Sequence, residues 1–322
     1  MKAVIIESAG NPDVLKIKDV KKPEPKAGWV LIKIKAFGLN RSEMFTRQGH
    51  SPDVKFPRIL GIECVGEVEI CFDNTFQPGQ KVAALMGGMG RSFDGGYAEY
   101  ALIPKKNVFA FESNLDWSIL GAIPEMFQTV NGSLNEALEI KPGETLLIRG
   151  GTSSIGVMSA QLAKSIDLKV IATTRNNQKT DFLYEHGADY VIIDDGKIFE
   201  KVKEIYPDGV DKVLELIGTT TLIDSLNCVK GKGTLCMTGI LGNQWTMDNF
   251  SPMGDIPSTV KLTCYMGESE NITQESLQSF IYKVEMKLIK LPIDKVFSID
   301  EIVTAHEYME SNQAKGKLVV TV

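Results

Sequence analysis

No two cysteines in this sequence stand at the spacing of a metal knuckle or a redox motif. Cys64, Cys71, Cys228, Cys236 and Cys264 are scattered without a CxxC pair, a pattern of reduced thiols rather than of a disulfide framework. Long apolar runs are missing too, and none approaches the ~20 residues that a membrane span requires. The opening MKAVIIESAG has no apolar stretch of the kind a signal peptide carries. Basic charge is not in surplus: 35 Lys and Arg stand against 41 Asp and Glu, a net charge of −6, which speaks against a general nucleic-acid surface. The expectation is a cytoplasmic protein with neither membrane nor nucleic acid among its partners. What is present is ordinary for a globular protein, 43% hydrophobic and 24% charged, and 322 residues are enough for two domains.

Residues 1–122 read as β-rich, with strands expected at Ala3 to Ile6, Val30 to Ala36, Cys64 to Ile70, Lys81 to Ala84 and Tyr97 to Ile103. In the second of these, Leu31, Lys33 and Lys35 alternate with Val30, Ile32, Ile34 and Ala36, as on a half-buried strand. Glycine-rich connections such as Gly87 to Gly90 separate the strands, and a partly open barrel is the expected architecture. From about Ile123 the rhythm changes. Helical stretches near Phe127 to Leu138 and Gln178 to His186 alternate with strands at Thr145 to Arg149, Lys169 to Thr174, Tyr190 to Ile193, Lys212 to Leu216, Gly233 to Thr238 and Ser258 to Met266. That alternation predicts an α/β fold, a doubly wound parallel sheet with helices on both faces. Residues 267–322 add a helix over Gln274 to Lys287, an extended PIDKVFSI, a helix over Ile299 to Glu310 and a last strand, Lys317 to Val322. Rhythm alone leaves open which sheet the last strands join.

The most informative stretch is a βαβ unit over residues 145–175: the strand Thr145 to Arg149, a turn of small residues from Gly150 to Gly156, a helix with Ile155, Met158, Leu162 and Ile166 on one face, and the strand Lys169 to Thr174. Such a turn binds the pyrophosphate of a dinucleotide, because small residues let the backbone approach and the first helical N–H groups lack intrahelical partners. Gly151, Ser154 and Gly156 take the places of the three glycines of GxGxxG, so Gly151, Thr152, Ser153, Ser154, Ile155 and Gly156 are candidate cofactor residues. The second strand ends in Thr173, Thr174, Arg175, Asn176 and Asn177, then Lys179, with no acid before Asp181. A carboxylate there would read the ribose of NAD; Thr174, Arg175 and Lys179 instead suit the 2′-phosphate of NADPH. The alternatives are an ordinary strand-to-helix turn and a solvated basic pair. Ile217 and Gly218, with Gly239, Ile240 and Leu241, follow two further strands, at the edge where doubly wound sheets hold ligands.

A series of motifs runs nearly end to end: MKAVIIESAGNPDVLKIKDVKKPEPKAGWVLIKIKAFGLNRSE, FPRILGIECVGEV, FDGGYAEYALIP, IPEMFQTVNGSL, KPGETLLIRGGTSSIGVMSAQLAK, HGADYVI and AHEYMESNQAKGKLVVTV. In that order they resemble the zinc-independent quinone oxidoreductases of the medium-chain dehydrogenase/reductase superfamily. The resemblance implies a GroES-like β-barrel-type catalytic domain built from residues 1–122 and 267–322, a Rossmann domain over 123–266 inserted in it, NADPH as cofactor, and a homodimer or homotetramer. Zinc-dependent relatives carry Gly-His-Glu where this chain has Gly61-Ile62-Glu63, and a zinc-binding Cys near the place of Asn40. Isoleucine ligates nothing, and a zinc site needs three or four N, S or O ligands, so no metal is expected.

Without a Lewis acid, alcohol oxidation is disfavoured, whereas a conjugated acceptor can take hydride directly when the protein supplies proximity and orientation. By resemblance, Asn40 and Thr129 lie at the nicotinamide and, with Arg47, form the candidate catalytic set. Asn40 has a turn-forming alternative, Thr129 that of a plain helix residue, and Arg47 that of a structural arginine. His50 reads as a solvated loop residue, and Cys64 and Cys236 as core. The expected function is NADPH-dependent reduction of quinones or α,β-unsaturated carbonyls. Its rivals are an enoyl-thioester or alkenal reductase, and a non-catalytic NADPH-binding sensor or structural protein.

Overall fold

Short strands and one long one open the chain. In the computed structural model, which describes residues 1–311 and 313–322, β1 (Lys2–Ile6) pairs antiparallel with β2 (Lys16–Asp19). β3 (Trp29–Leu39) is the axis of its sheet. Lys33 is exposed and Ile32 and Ile34 are buried, as the alternation predicts, but Leu31 is buried as well. A short helix, α1 (Arg41–Arg47), follows at once, capped by Asn40 and Glu43. Its seven residues are too few for the helical period to stand out in the sequence. After β4 (Arg58–Ile59), the strands β5 (Glu63–Cys71), β6 (Lys81–Leu85), β7 (Tyr100–Pro104) and β8 (Val108–Ala110) extend the sheet around β3. Then come α2 (Trp117–Leu120) and α3 (Pro124–Asn131).

The chain divides into two units, Met1–Gln128 with Glu268–Val322, and Thr129–Gly267. The second unit alternates strand and helix: β9 (Thr145–Arg149), α4 (Ser154–Ser165), β10 (Lys169–Thr174), α5 (Thr180–Glu185), β11 (Tyr190–Ile193), α6 (Phe199–Ile205), β12 (Val210–Glu215), α7 (Leu222–Asn227), β13 (Val229–Met237), α8 (Pro252–Asp255) and β14 (Lys261–Cys264). The strand order is β11-β10-β9-β12-β13-β14, with every pairing parallel. This is the doubly wound Rossmann order, whose direction reverses beside β9. Leu146 to Ile148 and Val170 to Ala172 are all buried, because helices cover both faces of such a sheet. One expectation is corrected on α4. Of the expected face, Met158 is buried, Ile155 and Leu162 are half-buried and Ile166 is exposed, while Gly156, Val157, Ala160 and Ala163 are buried as well. The helix packs through its small side chains, which let it lie close to the strands.

The tail returns to the first unit. After α9 (Gln274–Glu285), β15 (Ile293–Ser298) and α10 (Ile302–Glu310), the last strand β16 (Lys317–Thr321) lies between β15 and β3. It runs antiparallel to β3, with Leu318 opposite Leu39 and Val319 opposite Gly38. The core beneath gathers residues from both chain ends, among them Ile6, Ile32, Phe37, Tyr97, Ile302 and Val320. Among the described residues no helix is long and apolar enough to cross a membrane.

Candidate functional site

The turn after β9 is stitched to the neighbouring strand before it enters α4. The Gly150 N–H donates to Thr173 Oγ1 (3.1 Å) and the Gly151 N–H to the Thr173 carbonyl (3.0 Å). Gly150 has φ +90°, in the region that favours glycine. A Cβ on Gly156 would stand 2.6 Å from the Gly150 carbonyl oxygen and 2.8 Å from Gly151 Cα, so only glycine lets the helix start this close to the turn. Ser153 is the N-cap: its Oγ accepts from the Gly156 N–H (3.1 Å) and donates to the Gly150 carbonyl (2.8 Å). Thr152 precedes the cap, and Ser154 and Ile155 are the first helical residues. Their N–H groups belong to the first turn and have no intrahelical acceptor, which is the chemistry of an anion site.

The end of β10 is a second small construction. Thr174 Oγ1 accepts from the Asn176 N–H (3.1 Å), and Asn176 Oδ1 accepts from the Gln178 N–H (2.9 Å). The loop so capped carries Arg175 exposed and Lys179 half-exposed, and neither forms an ion pair among the described residues. Two further loops converge on the turn. A Cβ on Gly150 would lie 3.2 Å from Ile217 Cδ1 and 3.4 Å from Leu241 Cδ1. The Leu241 N–H donates to the Leu216 carbonyl (3.0 Å) and the Gly239 N–H to that of Glu215 (3.2 Å), and Ile240 Cα lies 3.3 Å from where a Cβ of Gly218 would be. These candidates are thus brought together.

Two charged residues missed in the sequence hold these loops. Glu215 is fully buried at the end of β12 and accepts from the N–H groups of Ile217 (2.7 Å) and Gly218 (3.0 Å); burial pushes its pKa up. Arg149, also buried, donates to both Asp194 oxygens (2.9 and 3.0 Å), to Asp224 (2.7 Å) and to Ser225 Oγ (3.0 Å). Burial alone would raise the Asp194 carboxyl, but Arg149 outweighs it and the pKa falls. The arginine of IRGG stands out in an apolar strand, and that break in the pattern was the available signal.

In the first unit, Asn40 sits at the junction of β3 and α1, 8% exposed. Its Nδ2 donates to Glu63 Oε1 (2.9 Å) and Glu43 Oε1 (3.3 Å), while its Oδ1 accepts from Lys317 Nζ. Lys317, buried on β16, also pairs with Glu63 (2.9 Å) and Glu125 (3.3 Å). Burial opposes its charge, yet Glu63 and Glu125 outweigh that and hold its pKa above the ordinary lysine value. Gly38 makes the room, since a Cβ there would be 2.3 Å from Glu63 Oε1 and 2.5 Å from Lys317 Cε. Glu43 accepts from the N–H groups of Ile62 (3.0 Å) and Asn40 (3.1 Å), and burial raises its pKa to about 7.

Arg47 requires a correction. It is fully buried, and its guanidinium donates to the Gly10 carbonyl and to Glu310 on α10. It clasps α1 to α10 and is not presented to a ligand. Thr129 lies half-buried on α3. His50 is exposed, while Cys64 and Cys236 are buried with thiols pushed up by burial. The residues at the zinc positions do not fit that metal: Ile62 offers no donor atom, Asn40 is engaged by Lys317, and the positive charge among the carboxylates is the lysine's own.

A doubly wound dinucleotide sheet, with a β-rich unit built from both chain ends, defines a medium-chain dehydrogenase/reductase. Comparison with known proteins agrees. Residues 26–113 match the alcohol dehydrogenase GroES-like domain family, and residues 186–320 the zinc-binding dehydrogenase family. Human quinone oxidoreductase is 26% identical over 329 residues, covering 99% of this chain and 97% of its own. The solved quinone oxidoreductase of Coxiella burnetii is 26% identical with a TM-score of 0.85, covering 100% of this chain and 99% of the other. A mycobacterial structure complexed with NADPH has a TM-score of 0.87 at 23% identity, covering 100% of both chains. The chain is thus similar over nearly its whole length to quinone oxidoreductases of the medium-chain dehydrogenase/reductase superfamily, and the likeness supports a nicotinamide-dependent oxidoreductase.

Proposed function

We propose that this protein reduces quinones or α,β-unsaturated carbonyls with NADPH and without zinc. The observation that carries the reading is the end of β10. Arg175 and Lys179 stand on a capped loop without an ion-pair partner among the described residues, in the place where an NAD site carries an acid. The turn supports the same ligand, with glycines packed too closely for any side chain and first-turn N–H groups that lack an intrahelical acceptor, as an anion site requires.

When bound, NADPH supplies the hydride. The chain's residues bind and orient it: Gly151 to Gly156 at the pyrophosphate, Thr174, Arg175 and Lys179 at the 2′-phosphate, and the loops carrying Ile217, Gly218, Gly239, Ile240 and Leu241 beside the turn. Asn40 and Thr129 are proposed for the nicotinamide. A homodimer or homotetramer and a cytoplasmic location are proposed with this reading.

The test is a stopped-flow screen of NADPH oxidation against quinones, enones and enoyl thioesters, run beside the Arg175→Ala/Lys179→Ala variant. Quinone or enone turnover is expected. The variant should lose about 100-fold in NADPH affinity, with NADH affinity changed no more than about threefold. Turnover confined to enoyl thioesters would replace the substrate reading, and equal losses for the two cofactors would sink the 2′-phosphate assignment.

A further inference from the structure

Two arms leave the buried guanidinium of Arg149, and they reach different loops. One runs through Ser225 Oγ (3.0 Å), which donates to Glu215, whose other oxygen holds the N–H groups of Ile217 and Gly218. The other runs through Asp194, gripped at both oxygens by Arg149. Beside that carboxylate lies the hydroxyl of Thr173, a residue buried near the end of β10. A hydroxyl has one hydrogen and two lone pairs, and a carboxylate only accepts. The Thr173 hydrogen therefore points at Asp194 Oδ2 (3.4 Å), and a lone pair is left for the Gly150 N–H (3.1 Å). The Thr173 carbonyl takes the next donor of the turn, the Gly151 N–H (3.0 Å). That second bond is main chain, and any residue at 173 could make it. The first depends on the hydroxyl. It fixes Gly150, whose φ of +90° turns the chain out of β9 and whose carbonyl accepts from the N-cap hydroxyl of Ser153 (2.8 Å). Ser153 Oγ in turn accepts from the Gly156 N–H (3.1 Å), so one line of bonds runs from Asp194 through Thr173, Gly150 and Ser153 to the first turn of α4.

We infer that Thr173 is a positioning residue for the cofactor: acting through Gly150, its hydroxyl sets where the first-turn N–H groups of α4 meet the pyrophosphate, and Asp194, held by Arg149, aims that hydroxyl. This rests on the proposed function above. Main-chain donors bind an anion tightly only when they are held in place beforehand, because ordering them on binding costs affinity. The 2′-phosphate site on the loop after β10 has its own caps, Thr174 and Asn176, and does not depend on this line.

The test is binding rather than turnover. Dissociation constants are measured by calorimetry on the full chain for NADPH and for adenosine 2′-monophosphate, which carries the 2′-phosphate but no pyrophosphate. Thr173→Val exchanges the hydroxyl for a methyl of similar size. It should bind NADPH about tenfold more weakly than wild type, and adenosine 2′-monophosphate within about twofold of it. Thr173→Ser keeps the hydroxyl and should bind both ligands within about twofold of wild type. Thr173→Ala repeats the test should Thr173→Val fail to fold. Unchanged NADPH binding in Thr173→Val, equal losses for the two ligands, or a Thr173→Ser as weak as Thr173→Val overturns the inference and leaves the NADPH reading standing. If wild type binds neither ligand, the NADPH reading itself has failed.

Discussion

Glu43 and His306 make opposite demands on pH. Burial raises the Glu43 carboxyl from 4.5 to about 7. The stability it contributes is therefore complete below about 4.5 and is lost as the pH rises through 7, a swing of about 3 kcal/mol. His306, buried against Tyr97 and near Arg47, is lowered from 6.5 to about 3, by burial first and then by the arginine. Its contribution is complete above 6.5 and is lost as the pH falls through about 3. Between 4.5 and 6.5 the two slopes cancel in wild type. Glu43→Gln removes one of them, so urea melts of the variant should show stability rising by about 1.4 kcal/mol per pH unit over that window. A wild-type profile that already rises with the variant's slope would mean that Glu43 is ionised in the folded protein, and a flat variant profile would mean that His306 is not held neutral. At this scale Asn40 was recognisable from GLNRSE, but the polarity of its amide was not, because that depends on which charges surround it.

Among the elements, the turn and α4 form the part most dependent on one missing atom. Gly156→Ala sets a methyl 2.6 Å from a backbone carbonyl oxygen, which neither the turn nor the helix can yield without breaking the Ser153 cap. Overpacking of this kind costs about 1–3 kcal/mol. The variant should melt earlier and lose most of the NADPH-induced thermal shift. An unchanged shift would show that the pyrophosphate does not use this turn. The βαβ unit was legible because its signals are local: an apolar run, small residues, and a strand ending in Arg175. The packing face of α4 was legible in part: Met158 is buried as its period predicts, whereas Ile166 is exposed and close approach to the sheet selects Gly156, Ala160 and Ala163.

For the whole molecule, the last six residues are not an appendage. β16 fills the place between β15 and β3 and brings Lys317 to Asn40 and Glu63. Deleting residues 317–322 should abolish the fold of the β-rich unit, seen as loss of cooperative melting and rapid proteolysis; a truncated chain with wild-type melting would contradict the strand order. By itself the sequence determined the α/β class, the doubly wound rhythm, the small-residue turn and the basic strand end beside it, and the lack of zinc ligands, because each is written in neighbouring residues. Only the tertiary structure decided that Arg47 is a clasp, that Glu215 holds the loop of Ile217 and Gly218 while Arg149 gathers Asp194 and Asp224, and that Asn40 is bound by Glu43, Glu63 and Lys317. Those roles rest on charges brought together from distant parts of the chain, and in a low-dielectric interior it is the partners, rather than the residue type, that fix what a polar group can do.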